Sequence, residues 1–293
     1  MRWVLVDAHV HLFPPRVFEA LWRWFDTYAW EVKYRLHSEQ AVSFLVEHGV
    51  DRLVSLVYSH KPGMAATLNR YAAELASHHP QIIPLGTVLP GEPDADQIVA
   101  EALGPLGLRG LKLHCHVQAL AIDDPRLEPV FRRAAAAAVP VVVHSGRAPA
   151  CAGYSVDPGA LCSVDATRRV LQRHPTLRLC VPHLGADEIA AHLALLDEFE
   201  HLYLDTTVAL AGCFDGGPVL APTLSRDAMG AVDLAAAQLL QSMEAHSDRF
   251  LYGTDFPNLP YDWNRELSWL GAQPLSAPAR AAIFGGNALR LFT

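Results

Sequence analysis

Short runs of Val, Ile and Leu recur along the chain, and between them lie longer stretches in which apolar residues return every third or fourth position. The runs are WVLVDAH at 3–9, DRLVSLVYS at 51–59, IIPLGTV at 82–88, LRGLKLH at 108–114, PVVVHSG at 140–146, LRLCVPH at 177–183, LYLDTT at 202–207 and RFLYGTD at 249–255. SEQAVSFLVEHG, MAATLNRYAAELASHH, DPRLEPVFRRAAAAAV and ADEIAAHLALLDEFE carry the helical spacing. Eight such alternations over about 250 residues predict an α/β fold of the (β/α)8, TIM-barrel kind. A doubly wound open sheet alternates in the same way, but it would place a glycine-rich phosphate loop after an early strand. No GxGxxG or GxxxxGK[ST] occurs in the sequence. The pattern therefore predicts a single domain over 1–293, a barrel distorted by insertions. Segments 12–37, 147–164 and 208–231 break the alternation. Each follows a strand, which in a barrel places it over the C-terminal face.

Polar residues gather where the apolar runs end. In LVDAHVHLF at 5–13, strand alternation puts Asp7, His9 and His11 on one face and Val6, Ala8 and Val10 on the other. An inward polar triplet is costly unless something satisfies it. Two imidazoles so spaced can close on one metal ion; a polar turn with two solvated histidines is the plain alternative. The pattern repeats with Lys112, His114 and His116 in LKLHCH, His144 in VVVHSG, His183 in CVPHLG and Asp255 in LYGTDFP. Any one of these histidines is as readily a hydrogen-bonded structural residue, and Asp255 a turn former. Repetition over strands one, five, six and eight favours a metal site. His9, His11 and His144 would supply neutral nitrogens and Asp255 an anionic oxygen. That mixture suits Zn2+, and Mn2+ or Fe2+ would also fit. No cysteine pair accompanies the histidines, so a structural zinc is disfavoured and a catalytic metal that activates water is favoured. His183 is placed to act as acid, base or polarising group, and Asp7 to orient a ligand or stabilise the strand.

Composition narrows the setting. The chain has 293 residues, 51% hydrophobic, enough for a sizeable core. A net charge of −8 without a Lys/Arg cluster argues against nucleic acid as a partner. No apolar stretch is long enough to span a membrane. The first residues lead straight into a strand, so no cleaved signal peptide is expected. Five cysteines with no CxxC spacing read as reduced thiols of a cytoplasmic protein.

The motifs DAHVH, GLKLHCH, VVVHSG, VPHLG and GTDFP, in that order and with a closing GGNALRLF, resemble the amidohydrolase superfamily, specifically its amidohydrolase-2 branch of metal-dependent TIM-barrel enzymes. The resemblance implies one divalent metal held by His9, His11, His144 and Asp255, with His183 catalytic beside it, and suggests a homodimer. In binuclear members a carboxylated lysine on strand four bridges two metals, and Lys112 occupies a comparable position. With one metal, Lys112 would instead pair with a substrate carboxylate. His114 and His116 would bind a second metal, bind substrate, or hydrogen-bond locally. The leading expectation is hydrolysis of a C–N or C–O bond in an amide, cyclic amide, ester or lactone of a small molecule. In it Asp255 moves the proton and His183 stabilises the developing oxyanion. The rival is non-oxidative decarboxylation of an aromatic or unsaturated acid, known in the same branch. A non-catalytic metal-binding barrel is a third reading, disfavoured by the full ligand set. Phe18, Trp22, Trp24, Phe25, Tyr28 and Trp30 in the first insertion would cover a flat ring or pack on the barrel as a helical hairpin. Arg16, His60 and Arg147 lie above strand ends, either to hold an anionic substrate group or as solvated surface.

Overall fold

The computed structural model describes residues 3–147, 151–210 and 235–293. Each apolar run forms a parallel strand: β1 Val6–Val10, β2 Arg52–Ser55, β3 Ile82–Pro84, β4 Leu111–His114, β5 Val141–His144, β6 Leu179–Val181, β7 Leu202–Asp205 and β8 Phe250–Leu251. They pair in the order β1-β2-β3 and β4 through β8. The two runs meet at both ends. Lys112 N–H donates to Gly86 O (2.7 Å), and across the other seam Ala8 N–H donates to Tyr252 O and Asp255 N–H to His9 O (both 2.9 Å). The sheet thus closes as the expected (β/α)8 barrel, and closure removes its edges.

Strands buried on both faces read as continuous apolar runs, which is why they stood out. Outside, Leu113, Val143 and Val181 pack with Phe131, Val170 and Leu196 of the helices Glu128–Ala136, Val164–Arg173 and Ile189–Glu198. Inside, Val6, Ala8, Val54, Val142, Cys180 and Leu251 form a cluster with Leu291 and Phe292 of the helix Asn287–Phe292.

The expectation for β1 needs correction. Its register on β2 shifts between Asp7 and Val10, so strict alternation does not run through the strand. Val6 and Ala8 belong to the interior cluster, whereas Val10 packs outside with Leu45 and Leu53. The irregularity turns His9 and His11 inward but leaves Asp7 at the β1–β8 seam. There Thr254 Oγ1 donates to Asp7 Oδ2 (2.6 Å), and the N–H groups of Thr254 and His9 donate to Oδ1 (3.1 Å each). Burial pushes this carboxyl up to about 7 in spite of those donors.

Two of the expected helices run Ser38–Glu47 and Ala65–His78. The one expected over 186–200 begins only at Ile189, because His183, Leu184, Gly185 and Ala186 take positive φ values of 58°, 54°, 84° and 60°. Left-handed backbone costs non-glycine residues about 1–2 kcal/mol each. At Gly185 a Cβ would in addition overlap the His192 ring. The HLGA stretch is therefore a strained turn that aims His183. The first insertion holds one helix, Pro15–Tyr28, followed by irregular chain, not a hairpin. Most of the third insertion, part of the second, and Cys213 lie outside the described residues. Among the described residues no helix is long and apolar enough to cross a membrane.

Candidate metal and substrate site

The ends of β1 and β8 bring His9, His11 and Asp255 together, one ligand atom of each lying within 4.8 Å of the others. Close approach is allowed by Gly253 at the end of β8, where a Cβ would stand 2.5 Å from Thr207 Oγ1 and 2.9 Å from His9 Cβ. Hydrogen bonds behind the rings fix their tautomers. His9 Nδ1 donates to Asp205 Oδ2 (2.8 Å), and His11 Nδ1 to the Leu56 carbonyl (2.9 Å), which can only accept. Both Nε2 atoms then face Asp255 Oδ1, at 3.6 Å from His9 and 2.9 Å from His11. Two bare nitrogens against a carboxylate oxygen need a cation between them, and carboxylate or carbonyl support behind each ring is how metal-bound histidines are oriented. The donor set fits a divalent metal.

Charge in the site is tuned by burial. Burial lowers His9 to about 4, helped by Lys112 and opposed by Asp205. Burial alone would raise the Asp255 carboxyl, but His11 and His9 hold it at about 2. Lys112 is drawn down to about 8 by burial, against the pull of Asp205 and Asp255, and its Nζ has no hydrogen-bond partner. Burial and neighbouring cationic groups hold His114 and His144 well below the usual imidazole range, and burial lowers His183 as well. The rings of His9, His114, His144 and His183 are neutral at pH 7.

Asp205, at the end of β7, is the functional residue that sequence reasoning passed over. Its Oδ2 takes His9, and its Oδ1 takes the N–H groups of His183 and Thr207 (both 3.1 Å). Burial would raise it, yet His9, His183 and Thr207 together hold it well below the carboxylate range. His183 is locked further by Nδ1 donating to Thr207 O (2.8 Å). Its Nε2 is therefore an acceptor, filled by His144 Nδ1–H at 3.0 Å. Strain collects here too: Asp255 and Val208 have φ of 76° and 57°, beside the left-handed His183.

The expected ligand set is thus only partly assembled at one point. His144 stacks on His114 with ring centroids 4.2 Å apart, and these two group with His116 rather than with His9, His11 and Asp255. Above both groups opens a cavity of about 560 Å3, lined by all of these residues except Asp205 and by Lys112, Arg16 and His60. Arg147 is not in its lining; it pairs with Asp187 (2.8 Å) and Glu188 (3.6 Å). Phe13, Trp24, Phe25, Trp30, Tyr58 and Tyr154 supply rings to the wall. Trp24 Nε1 donates to Gly153 O (3.3 Å) and Trp30 Nε1 to Asn258 O (2.7 Å), so the first insertion is tied to the loops after β5 and β8. Phe18 and Trp22 are buried in the core instead.

A closed parallel barrel with histidines and an aspartate at its C-terminal mouth and a cavity above them is a TIM barrel with a candidate metal site. The chain belongs to the amidohydrolase family, whose model matches residues 6–293. No curated protein matches it in sequence. Its fold is similar to an uncharacterised TIM-barrel protein from Bordetella bronchiseptica (20% identity, TM-score 0.71, covering 98% of this chain and 97% of that one). It is also similar to a 2,6-dihydroxybenzoate decarboxylase bound to 2,6-dihydroxybenzoate (15% identity, TM-score 0.65, 99% and 98% covered). A third similar structure is the D314N variant of a 5-carboxyvanillate decarboxylase from Novosphingobium aromaticivorans with bound manganese (15% identity, TM-score 0.60, 99% and 97% covered).

Proposed function

We propose that this chain is a metal-dependent decarboxylase of a small, flat aromatic or unsaturated carboxylic acid. The make-up of the cavity carries the reading: rings form its wall, and the unpartnered Lys112 ammonium lies beside the histidine–aspartate group. A buried ammonium without a partner is costly, and a substrate carboxylate would satisfy it. Trp24, Phe25, Tyr58 and Tyr154 offer faces for a planar ring. Two proteins of similar fold are decarboxylases of benzoate-type acids, one of them seen with manganese. His9, His11 and Asp255 would hold the metal, which supplies a Lewis acid for a substrate oxygen.

Loss of CO2 breaks the bond from the carboxyl carbon to the ring or chain, leaves the electron pair on that ring or chain carbon, and requires a proton there. A cavity walled by rings favours this step because a localised carboxylate charge is dispersed as it proceeds. His183 would relay that proton: Thr207 and Asp205 pin its neutral ring, its Nε2 takes a proton from water or from His144 Nδ1–H, and because burial lowers its pKa it passes that proton on to carbon readily. Arg16 and His60, also in the cavity lining, would take a further polar or anionic substituent. His183→Ala is expected to keep its metal yet lose about 10²–10⁴-fold in kcat; unchanged turnover would remove His183 from the mechanism.

Hydrolysis is the second reading. It is favoured by the ionised Asp255 Oδ1, 2.9 Å from His11 Nε2, a position from which a carboxylate accepts a proton from water. Product analysis separates the two. Protein loaded with Mn2+ or Zn2+ would be given 2,6-dihydroxybenzoate, 5-carboxyvanillate and related acids, and separately a panel of amides and lactones. Release of CO2 from an acid is expected. Ring opening or amide cleavage without CO2 would replace decarboxylation by hydrolysis.

A further inference from the structure

Asp205, buried at the end of β7, lies behind the site and lines no part of the cavity. Its two oxygens serve different ends of the reaction. Oδ2 accepts from His9 Nδ1–H at 2.8 Å, and Oδ1 accepts from the backbone amides of His183 and Thr207 at 3.1 Å each. All three neighbours donate, and an ionised carboxylate is a group that only accepts.

Each contact has an effect at a distance. With its proton on Nδ1, His9 keeps a lone pair on Nε2, the nitrogen that faces Asp255 Oδ1. The amide of His183 opens the run of positive φ values from His183 to Ala186, a turn that its surroundings must hold in place. The His183 ring is fixed in turn by Nδ1 donating to Thr207 O, and Thr207 is itself placed by its amide on Asp205. One carboxylate thus holds the backbone of His183 directly and its ring through Thr207.

Asparagine has the same shape but cannot do both. Its one carbonyl oxygen can meet either the two amides or the ring, and its NH2 group then meets the other as donor against donor. Two amides left unpaired in the interior cost more than one ring proton that can move, so the oxygen goes to His183 and Thr207. The NH2 group then faces His9 Nδ1, which must accept, and the ring proton is driven to Nε2. The same exchange beside the histidine of serine-protease triads leaves the geometry intact and imposes the wrong tautomer.

We propose that Asp205 is a positioning residue that joins the two ends of the site: one oxygen keeps His9 Nε2 bare for a metal ion, and the other sets the turn that aims His183. The relay that His183 performs rests on the decarboxylation reading; the two structural effects do not, and the test needs no turnover.

The test sets Asp205→Asn against Asp205→Ala in the full chain. Asparagine keeps the turn and imposes the wrong tautomer, whereas alanine releases the turn and imposes no tautomer. Zinc affinity of the chelator-stripped protein, measured by competition with a chelating dye, is expected to fall about 100-fold in Asp205→Asn and about 10-fold or less in Asp205→Ala. A merely space-filling role predicts the reverse order, because asparagine preserves the packing that alanine loses. Nitrogen–proton correlation NMR of stripped, histidine-labelled protein should place the His9 proton on Nδ1 in the wild type and on Nε2 in Asp205→Asn. Hydrogen exchange at the His183 and Thr207 amides should stay slow in Asp205→Asn and become fast in Asp205→Ala. Circular dichroism reports that each variant is folded. Asp205→Ser, whose hydroxyl donates or accepts and so imposes no tautomer, serves where the alanine variant does not fold. Asp205→Asn binding zinc as tightly as the wild type, with His9 still protonated on Nδ1, would overturn the metal half of the proposal. Unchanged exchange at His183 in Asp205→Ala would overturn the other half. A wild type that releases no CO2 from any acid would remove the decarboxylation reading and leave these outcomes as they are.

Discussion

Replacing His9 by alanine is expected to lower kcat/KM by about three orders of magnitude or more, with loss of the bound metal, while the barrel stays folded. His9 supplies one of three donors that meet at the mouth of β1 and β8, and the remaining two, His11 and Asp255, cannot hold a divalent ion as firmly. The structural cost is bounded. Truncation strips Asp205 Oδ2 of its donor, but Oδ1 keeps the amides of His183 and Thr207. One buried acceptor left without its partner costs about 1–3 kcal/mol, within the roughly 5–15 kcal/mol by which domains are stable. Metal analysis and circular dichroism on the same sample check both halves of the expectation. A folded His9→Ala protein with unaltered metal content would remove His9 from the ligand set.

The second large effect is a loss of stability in mild acid. His9, His114, His144 and His183 are all depressed in the folded chain, His9 to about 4, whereas in the unfolded chain they titrate near 6.5. Below about pH 6.5 the unfolded state therefore binds more protons, and ∂ΔG/∂pH is positive: stability present at neutral pH is lost as pH falls through this window. Asp7 works the other way. Its carboxyl is raised from 3.8 to about 7, so it contributes stability that is present in acid and lost as pH rises towards neutrality. Four histidines against one aspartate leave the net sign as acid loss. Asp255, held at about 2, adds to it once pH drops below 3.8. Urea unfolding of chelator-stripped protein at pH 7.5 and pH 5 should show a clearly lower midpoint at pH 5. Equal midpoints would mean that these rings are not buried in neutral form. Added zinc should steepen the dependence, since protons and metal compete for the same nitrogens.

The parts of this molecule that can be seen in the sequence are those whose cause is local. VVVH and LCVPH read as strands because both faces of each are buried, and their histidines stand out because they end apolar runs. Asp205 ends its strand, LYLD, in the same way, but it stands alone in sequence and its partner His9 is 196 positions away. Its one local signal is that of the histidines, a single polar residue closing an apolar run. The slip in β1 has no local signature at all: it arises from how β1 sits on β2 and β8, and it separates Asp7 from the two histidines that alternation had joined to it. The HLGA turn is likewise made by its surroundings, since Asp205 must accept from His183 N–H to hold a left-handed residue there. Tyr58 and Tyr154 reached the cavity through loops, whose paths follow from packing and not from periodicity.

The meeting of β1 with β8 has a consequence for how this protein comes into being. His9 lies in β1, His11 just after it and Asp255 just after β8, so the site cannot capture its ion until all eight strands have left the ribosome. An ion bound across that join fastens the two ends of the sheet to each other and adds RT ln(1 + [M]/Kd) to the work of opening it. Metal supply in the cell would then set not only how fast the protein works but how long a newly made copy survives proteases before its ring is latched.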